Sequence, residues 1–157
     1  MPRTKTATLR DIFSDTLANL AFMFVDDEQV DPDPHEDWFQ TTIRYKGPGS
    51  GQLGLICPRS FTTALAANLL GVKPEDRQAN SKAIDAVKEL MNILCGLLVT
   101  QVYGSDVLFN LSIPRCRMLD KPPGLDGPDD DNACTLSIGG SPVRLTQTFL
   151  AGEEPDA

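Results

Sequence analysis

Apolar residues recur at steps of three and four through Leu9, Ile12, Phe13, Leu17, Leu20, Ala21 and Phe24, the spacing of one buried stripe on a helix. This predicts a helix over Thr8 to Val25, stopping before Asp26-Asp27-Glu28, because carboxylates oppose the dipole at a helix C-terminus. Asp31, Asp33, Glu36 and Asp37 prolong the acidic run with Pro32 and Pro34 among them, so residues 26–37 read as a solvated loop. Trp38 to Tyr45 is aromatic and β-branched and reads as a strand; Gly47 to Gly51 reads as a turn, and Gln52 to Cys57 as the returning strand. A helix is predicted from about Ser60 to Leu70, closed by Gly71. Another, capped by Asn80 or Ser81, runs to about Tyr103 and closes at Gly104. Asp106 to Ile113, Ala133 to Ile138 and Val143 to Leu150 read as three more strands, the last two turned by Gly139-Gly140-Ser141-Pro142. Residues 120–132 form a Pro/Gly/Asp-rich loop, and 152–157 read as a frayed tail. The order helix, two strands, two helices, three strands predicts an α+β, two-layer fold, a mainly antiparallel sheet packed against long amphipathic helices.

The length of 157 residues suits one domain, 1–157, with a real core. A net charge of −8 argues against nucleic acid and against an anionic membrane as partners, since both need concentrated Lys and Arg. No apolar run reaches the roughly 18–20 residues of a membrane span, and Met1 to Thr6 lacks a secretory signal's apolar stretch. The four cysteines (57, 95, 116, 134) form no C-x-x-C pair and read as buried free thiols, so a cytoplasmic protein is expected.

Three signals resemble chemistry and are outweighed by their context. Gly49-Ser-Gly51-Gln-Leu-Gly54 matches G-x-G-x-x-G, but a strand follows it where the dinucleotide fingerprint needs a helix. His35, the single histidine, stands in the acidic loop with no motif tying it to a nucleophile, and reads as exposed. Asp129-Asp130-Asp131-Asn132 lacks the ligand alternation of a calcium loop and reads as a solvated hairpin tip.

The long helix carries more. At about 100° per residue, with Asp85 at 0°, Glu89 falls near 40°, Asn92 near 340° and Gly96 near 20°, while Val87, Leu90, Met91, Leu94, Leu97 and Leu98 fall on the opposite face. Every surface helix has a polar face, so this line alone is unremarkable. It is narrow, however, with Ile93 and Cys95 on either side, and both Asn92 and Gly96 are poor mid-helix residues. Glycine there removes bulk and leaves room for another molecule to approach.

Asp85-x-x-x-Glu89-x-x-Asn92-x-x-x-Gly96 resembles the motif helix of the CheC/CheX chemotaxis phosphatases, and Pro114, roughly twenty residues past Asn92, stands about where that pattern has a proline. Gly47 to Pro58 and the helix after it are similar to the family as well. The resemblance implies hydrolysis of the phospho-aspartate in a CheY-like response-regulator receiver domain. Asn92 would insert beside the acyl phosphate and orient a water, and Glu89 would pair with the receiver's lysine; Asp85 and Gly96 would support them. The Mg²⁺ would be the receiver's, leaving this chain without a cofactor or metal of its own. CheC-type members carry the motif twice; here Ile12, Thr16 and Asn19 occupy the corresponding places of the first helix. The single motif is most like CheX, whose members pair through their sheets, so a homodimer is expected. Two alternatives stand beside the enzyme: a CheX-like module that binds a receiver or flagellar partner without turnover, and a plain dimerisation domain.

Overall fold

A computed structural model describes residues 8–150. Thr8 opens α1 (Leu9–Ala21) through a capping box in which its hydroxyl accepts from Asp11 N–H and the Asp11 carboxylate accepts from Thr8 N–H, an arrangement worth about 1 kcal/mol. Leu9, Phe13, Leu17 and Ala21 are buried as the stripe predicts. The helix ends four residues earlier than expected. Phe22 takes a left-handed conformation (φ 54°), its N–H bonds Leu17 C=O, and the chain turns out so that Phe24 is exposed.

The loop at 26–37 is more firmly tied than its composition predicts. Val25 bridges Ile138, and Asp26 accepts from Gly140 N–H. Val30 N–H donates to the Ser137 hydroxyl, and Trp38 Nε1–H to Asp33 C=O. Glu36 accepts from Ser60 N–H at the start of α2, and Asp37 pairs with Arg59 at 3.1 Å. Several of these acids therefore serve as local acceptors instead of facing only water. His35 is exposed, as expected.

The sheet is built around β1 (Trp38–Lys46) and β2 (Ser50–Pro58), which pair antiparallel over their full length. α2 (Arg59–Leu70) stops at Gly71, whose φ of 71° admits glycine readily. The long helix begins differently from its prediction. A short α3 (Arg77–Ser81), capped by Asp76, contains Asn80 and Ser81; α4 (Ala83–Tyr103) starts after a break at Lys82. Neither predicted cap residue caps it.

After α4 only Asn110–Leu111 of the expected strand pairs with β1, as β3, while Arg115–Met118 forms β4, which pattern reading missed. Phe109 leaves the strand line to stack on Tyr103 and Tyr45, with ring centroids 4.9 and 5.9 Å apart. β5 (Ala133–Ile138) and β6 (Ser141–Phe149) form the last hairpin. Its turn is tighter than predicted: Gly139 and Gly140 alone make it, both at positive φ, and Ser141-Pro142 already belong to the strand. The sheet order is β3-β1-β2-β6-β5, with β4 also on β1, every pairing antiparallel. Its inner face carries Ile43, Tyr45, Leu53, Leu55, Cys57, Cys134, Leu136, Val143 and Leu145 against the helices, giving the α+β, two-layer arrangement expected.

The remaining expectations divide. Cys57, Cys95 and Cys134 are buried, whereas Cys116 is half-buried on β4; none is disulfide-bonded. Gly51 and Gly54 lie within β2, and Gly51 is required because Tyr45's ring occupies the place of a Cβ. Residues 129–132 are exposed, as expected of a tip, but Asp129 is also tied down: it accepts from Thr135 N–H and pairs with Arg10 at 3.5 Å and Arg144 at 3.8 Å. The tail at 152–157 lies outside the described residues.

Candidate functional site

α4 spans 21 residues, about 31 Å at the usual helical rise. Ala83, Ala86, Val87, Leu90, Met91, Leu94, Cys95, Leu98 and Val99 are buried, and they lock the helix onto α2, α1 and β1. That stripe fixes the rotation of the helix and so decides what points outward. Asp85 and Glu89 are exposed, and Asn92 and Gly96 are half-buried along the same ridge. The structure therefore brings all four motif positions together on one line, with Glu89 and Asn92 less than one turn apart.

Their side chains are uncommitted. Among the described residues, Asp85, Glu89 and Asn92 make no side-chain hydrogen bond or ion pair. A Cβ built on Gly96 would meet no atom within 4 Å beyond the helix's own neighbouring backbone, so the glycine fills no internal packing need. The Gly96 carbonyl accepts a 2.9 Å bond from the Thr100 hydroxyl, which covers part of the polar backbone that a glycine leaves bare.

Of the two expected apolar flanks, Cys95 is fully buried and belongs to the core, where burial pushes its thiol up to about 11. Ile93 remains a flank. With Leu97, Thr100 and Gln101 it forms one wall of a groove of about 490 Å³ whose other wall is Ile12, Asp15, Thr16, Asn19 and Leu20 of α1. Sequence reasoning missed this groove because its walls are separated by about seventy residues of chain and meet only through core packing. On α1 the Thr16 hydroxyl donates to Ile12 C=O at 2.6 Å and is buried, so that residue is turned inward where a docking acid would need to point out. Among the described residues no group of three or more His, Cys, Asp or Glu is placed to hold a metal ion.

The family model described as chemotaxis phosphatase CheX matches residues 39–122, just over half of the 157-residue chain, and the match includes the whole ridge. The chain belongs to the chemotaxis phosphatase CheX family. No curated protein matches it. Among solved structures it is similar to a CheX from Vibrio vulnificus (TM-score 0.64, 12% identity, covering 90% of this chain and 96% of that one). A CheX from Desulfovibrio desulfuricans is similar to the same degree (TM-score 0.63, 13% identity, 90% and 96%). The CheX of the CheX–CheY–BeF3–Mg²⁺ complex from Borrelia burgdorferi matches with TM-score 0.59 and 12% identity over 92% of this chain and 99% of that one. At these identities the likeness is one of fold. In that last structure a CheX is bound to a CheY together with BeF3 and Mg²⁺. No described helix here is long and apolar enough to cross a membrane.

Proposed function

We propose that this chain hydrolyses the phospho-aspartate of a CheY-like receiver domain, with Asn92 orienting the attacking water and Glu89 docking on the receiver's lysine. The observation that carries the reading is the pairing of an unpartnered amide and an unpartnered acid on one outward ridge of a rigidly packed helix. Membership of the CheX family and the CheY-bound Borrelia relative support it.

The chemistry asks for position more than for reactivity. Hydrolysis breaks the bond between phosphorus and the aspartyl oxygen and leaves inorganic phosphate and a free carboxylate. Catalysis of such a transfer rests on alignment and on charge already in place. A carboxamide accepts from a water through its oxygen while donating through its nitrogen, so it can hold that water in line with the scissile bond without a pKa near neutrality. A carboxylate at the same place would be repelled by the phosphoryl oxygens, which is why the inserted group is neutral and the acid stands one turn back. Glu89, exposed, reaches a cation on the partner; Asp85, a further turn back, borders the same contact. The Mg²⁺ is carried by the receiver, and this chain brings no metal of its own. Ile93 and Leu97 give the ridge an apolar shoulder that removes water from around the ion pair. The reading also carries the expected homodimer, which the mass of the protein in solution tests.

The test is phosphate release from Mg²⁺-loaded receiver domains phosphorylated by a small-molecule donor. The wild-type chain accelerates release, and Asn92→Ala removes the acceleration by about two orders of magnitude or more. The same variant folds at least as well, because alanine is the better helix former by roughly half a kcal/mol. Binding to a receiver without acceleration would favour the non-catalytic module, and full activity in Asn92→Ala would reject the positioned water.

A further inference from the structure

The outer face of the sheet, turned away from every helix, carries a concentration of arginine that an acidic chain does not need for solubility. Along the β3/β4 edge the strand contains one extra residue: Tyr45 faces Leu111 and Thr42 faces Arg115, so three steps along β1 are matched by four on the neighbouring strand. A bulge of this kind inverts the alternation of side chains beyond it. It turns Cys116 inward opposite Thr41 and sets Arg115 and Arg117 outward, opposite Thr42 and Gln40, on the face that already holds Arg44.

These three guanidinium groups have no carboxylate among the described residues, whereas Arg10, Arg59 and Arg144 each have one. Arg44 donates through Nε to Gln52 at 3.1 Å, and Arg117 donates to Gln40 at 3.1 and 2.6 Å. These neutral partners fix the side chains without cancelling their charge. The Arg115 side chain makes no hydrogen bond or ion pair among the described residues. Arg44 and Arg115 wall a cleft of about 300 Å³ with Thr42, Gln52, Ser112 and Ile113. Arg115 also borders the adjoining cleft of about 350 Å³ lined by Gln40, Thr42, Cys116 and Arg117. Like charges held on neighbouring rows of a sheet repel one another until an anion lies between them.

We propose that the Arg44/Arg115 cleft is a binding site for a dianionic phosphate group, either the free ion or a small phosphomonoester. Two planar forks with unspent N–H donors match the oxygens of a phosphate, and the amide nitrogen of Gln52, whose oxygen is held by Arg44, supplies a further donor. The cleft suits a small ligand in size. It lies across the sheet from Asn92, so a ligand bound there leaves the α4 ridge open, and the site stands or falls separately from the phosphatase reading.

The experiment is isothermal titration of the full-length chain at low ionic strength with inorganic phosphate, with glycerol 3-phosphate and with glycerol. Saturable binding of a phosphate compound at one site per chain, absent for glycerol and weakened by added sodium chloride, is the expected result. Tighter binding of glycerol 3-phosphate would assign the monoester, and equal or tighter binding of phosphate the free ion. Arg115→Gln should weaken binding at least tenfold, with Arg115→Lys recovering part of it, while Arg77→Gln on the helical side changes nothing. The Arg115 side chain is exposed and makes no bond within the chain, so its variants keep the wild-type melting temperature. No saturable binding of either phosphate compound, or binding unaltered in Arg115→Gln, would overturn the proposal.

Discussion

Gly96→Ala separates the internal role of the ridge from its external one, because the two respond with opposite signs. The substitution adds one methyl group at a helix-interior position where no other part of the chain lies within 4 Å of it and where φ is not positive. Nothing in the chain resists it, so the helix gains the full propensity difference of about 1 kcal/mol. For a chain of this size that raises the melting temperature by roughly 2–4 °C. On the receiver's side the same methyl occupies space that the partner's surface uses. Overfilling a packed contact costs about 1–3 kcal/mol, which is roughly a fivefold to hundredfold loss of affinity. Differential scanning calorimetry measures the first effect. Titration with a BeF3-loaded receiver that the release assay has shown to be a substrate measures the second. A variant that melts higher and still binds and dephosphorylates at the wild-type level would show that no partner approaches Gly96, and the docking face would have to be sought elsewhere.

The other expectations are briefer. Glu89→Gln keeps the shape of the side chain and removes its charge, so receiver affinity should fall about tenfold at low salt and less in high salt; equal affinity at both salt levels would remove the ion pair. Burial pushes the thiols of Cys95 and Cys134 up to about 11, and that of Cys57 higher still. Above pH 9 the unfolded chain releases these protons and the folded chain keeps them, so stability is full below pH 9 and falls by up to about 1.4 kcal/mol per pH unit per thiol as pH rises toward 11. A urea midpoint that stays flat between pH 9 and 11 would contradict that burial. Native alkylation at pH 8 should label Cys116 first, since it is the half-buried one of the four; labelling of Cys57 ahead of it would place the edge strand differently.

The candidate site was more legible in the sequence than its surroundings were. Its ridge follows from a single helix, where rotation per residue is fixed and the buried stripe of Leu90, Met91 and Leu94 sets the opposite face without reference to the rest of the fold. The ends of elements were less legible. Phe24 continues the α1 stripe in sequence but is exposed, because Phe22 adopts a left-handed turn that no composition marks. Asn80 and Ser81 resemble caps yet lie inside α3, which Asp76 caps instead. Asp106 to Ile113 reads as one strand, and it fails as one because Phe109 finds better packing against two tyrosines than the ladder offers. The four-residue β4 is too short to show alternation, and the outer-face arginines become neighbours only through pairing with β1.

The extra residue between Leu111 and Arg115 also sets how this edge of the protein can change over time. Losing one residue of Ser112, Ile113 or Pro114 would leave three steps on each strand, so Arg115 and Arg117 would still face outward opposite Thr42 and Gln40 in an unbroken ladder. A slip of β4 by one place along β1 would instead swing Cys116 out into water and drive Arg115 and Arg117 beneath the sheet toward the core. Descendants of this chain should therefore keep Arg115 opposite Thr42 whether or not the extra residue persists, long after the Pro/Gly-rich connection beyond Met118 has become unalignable.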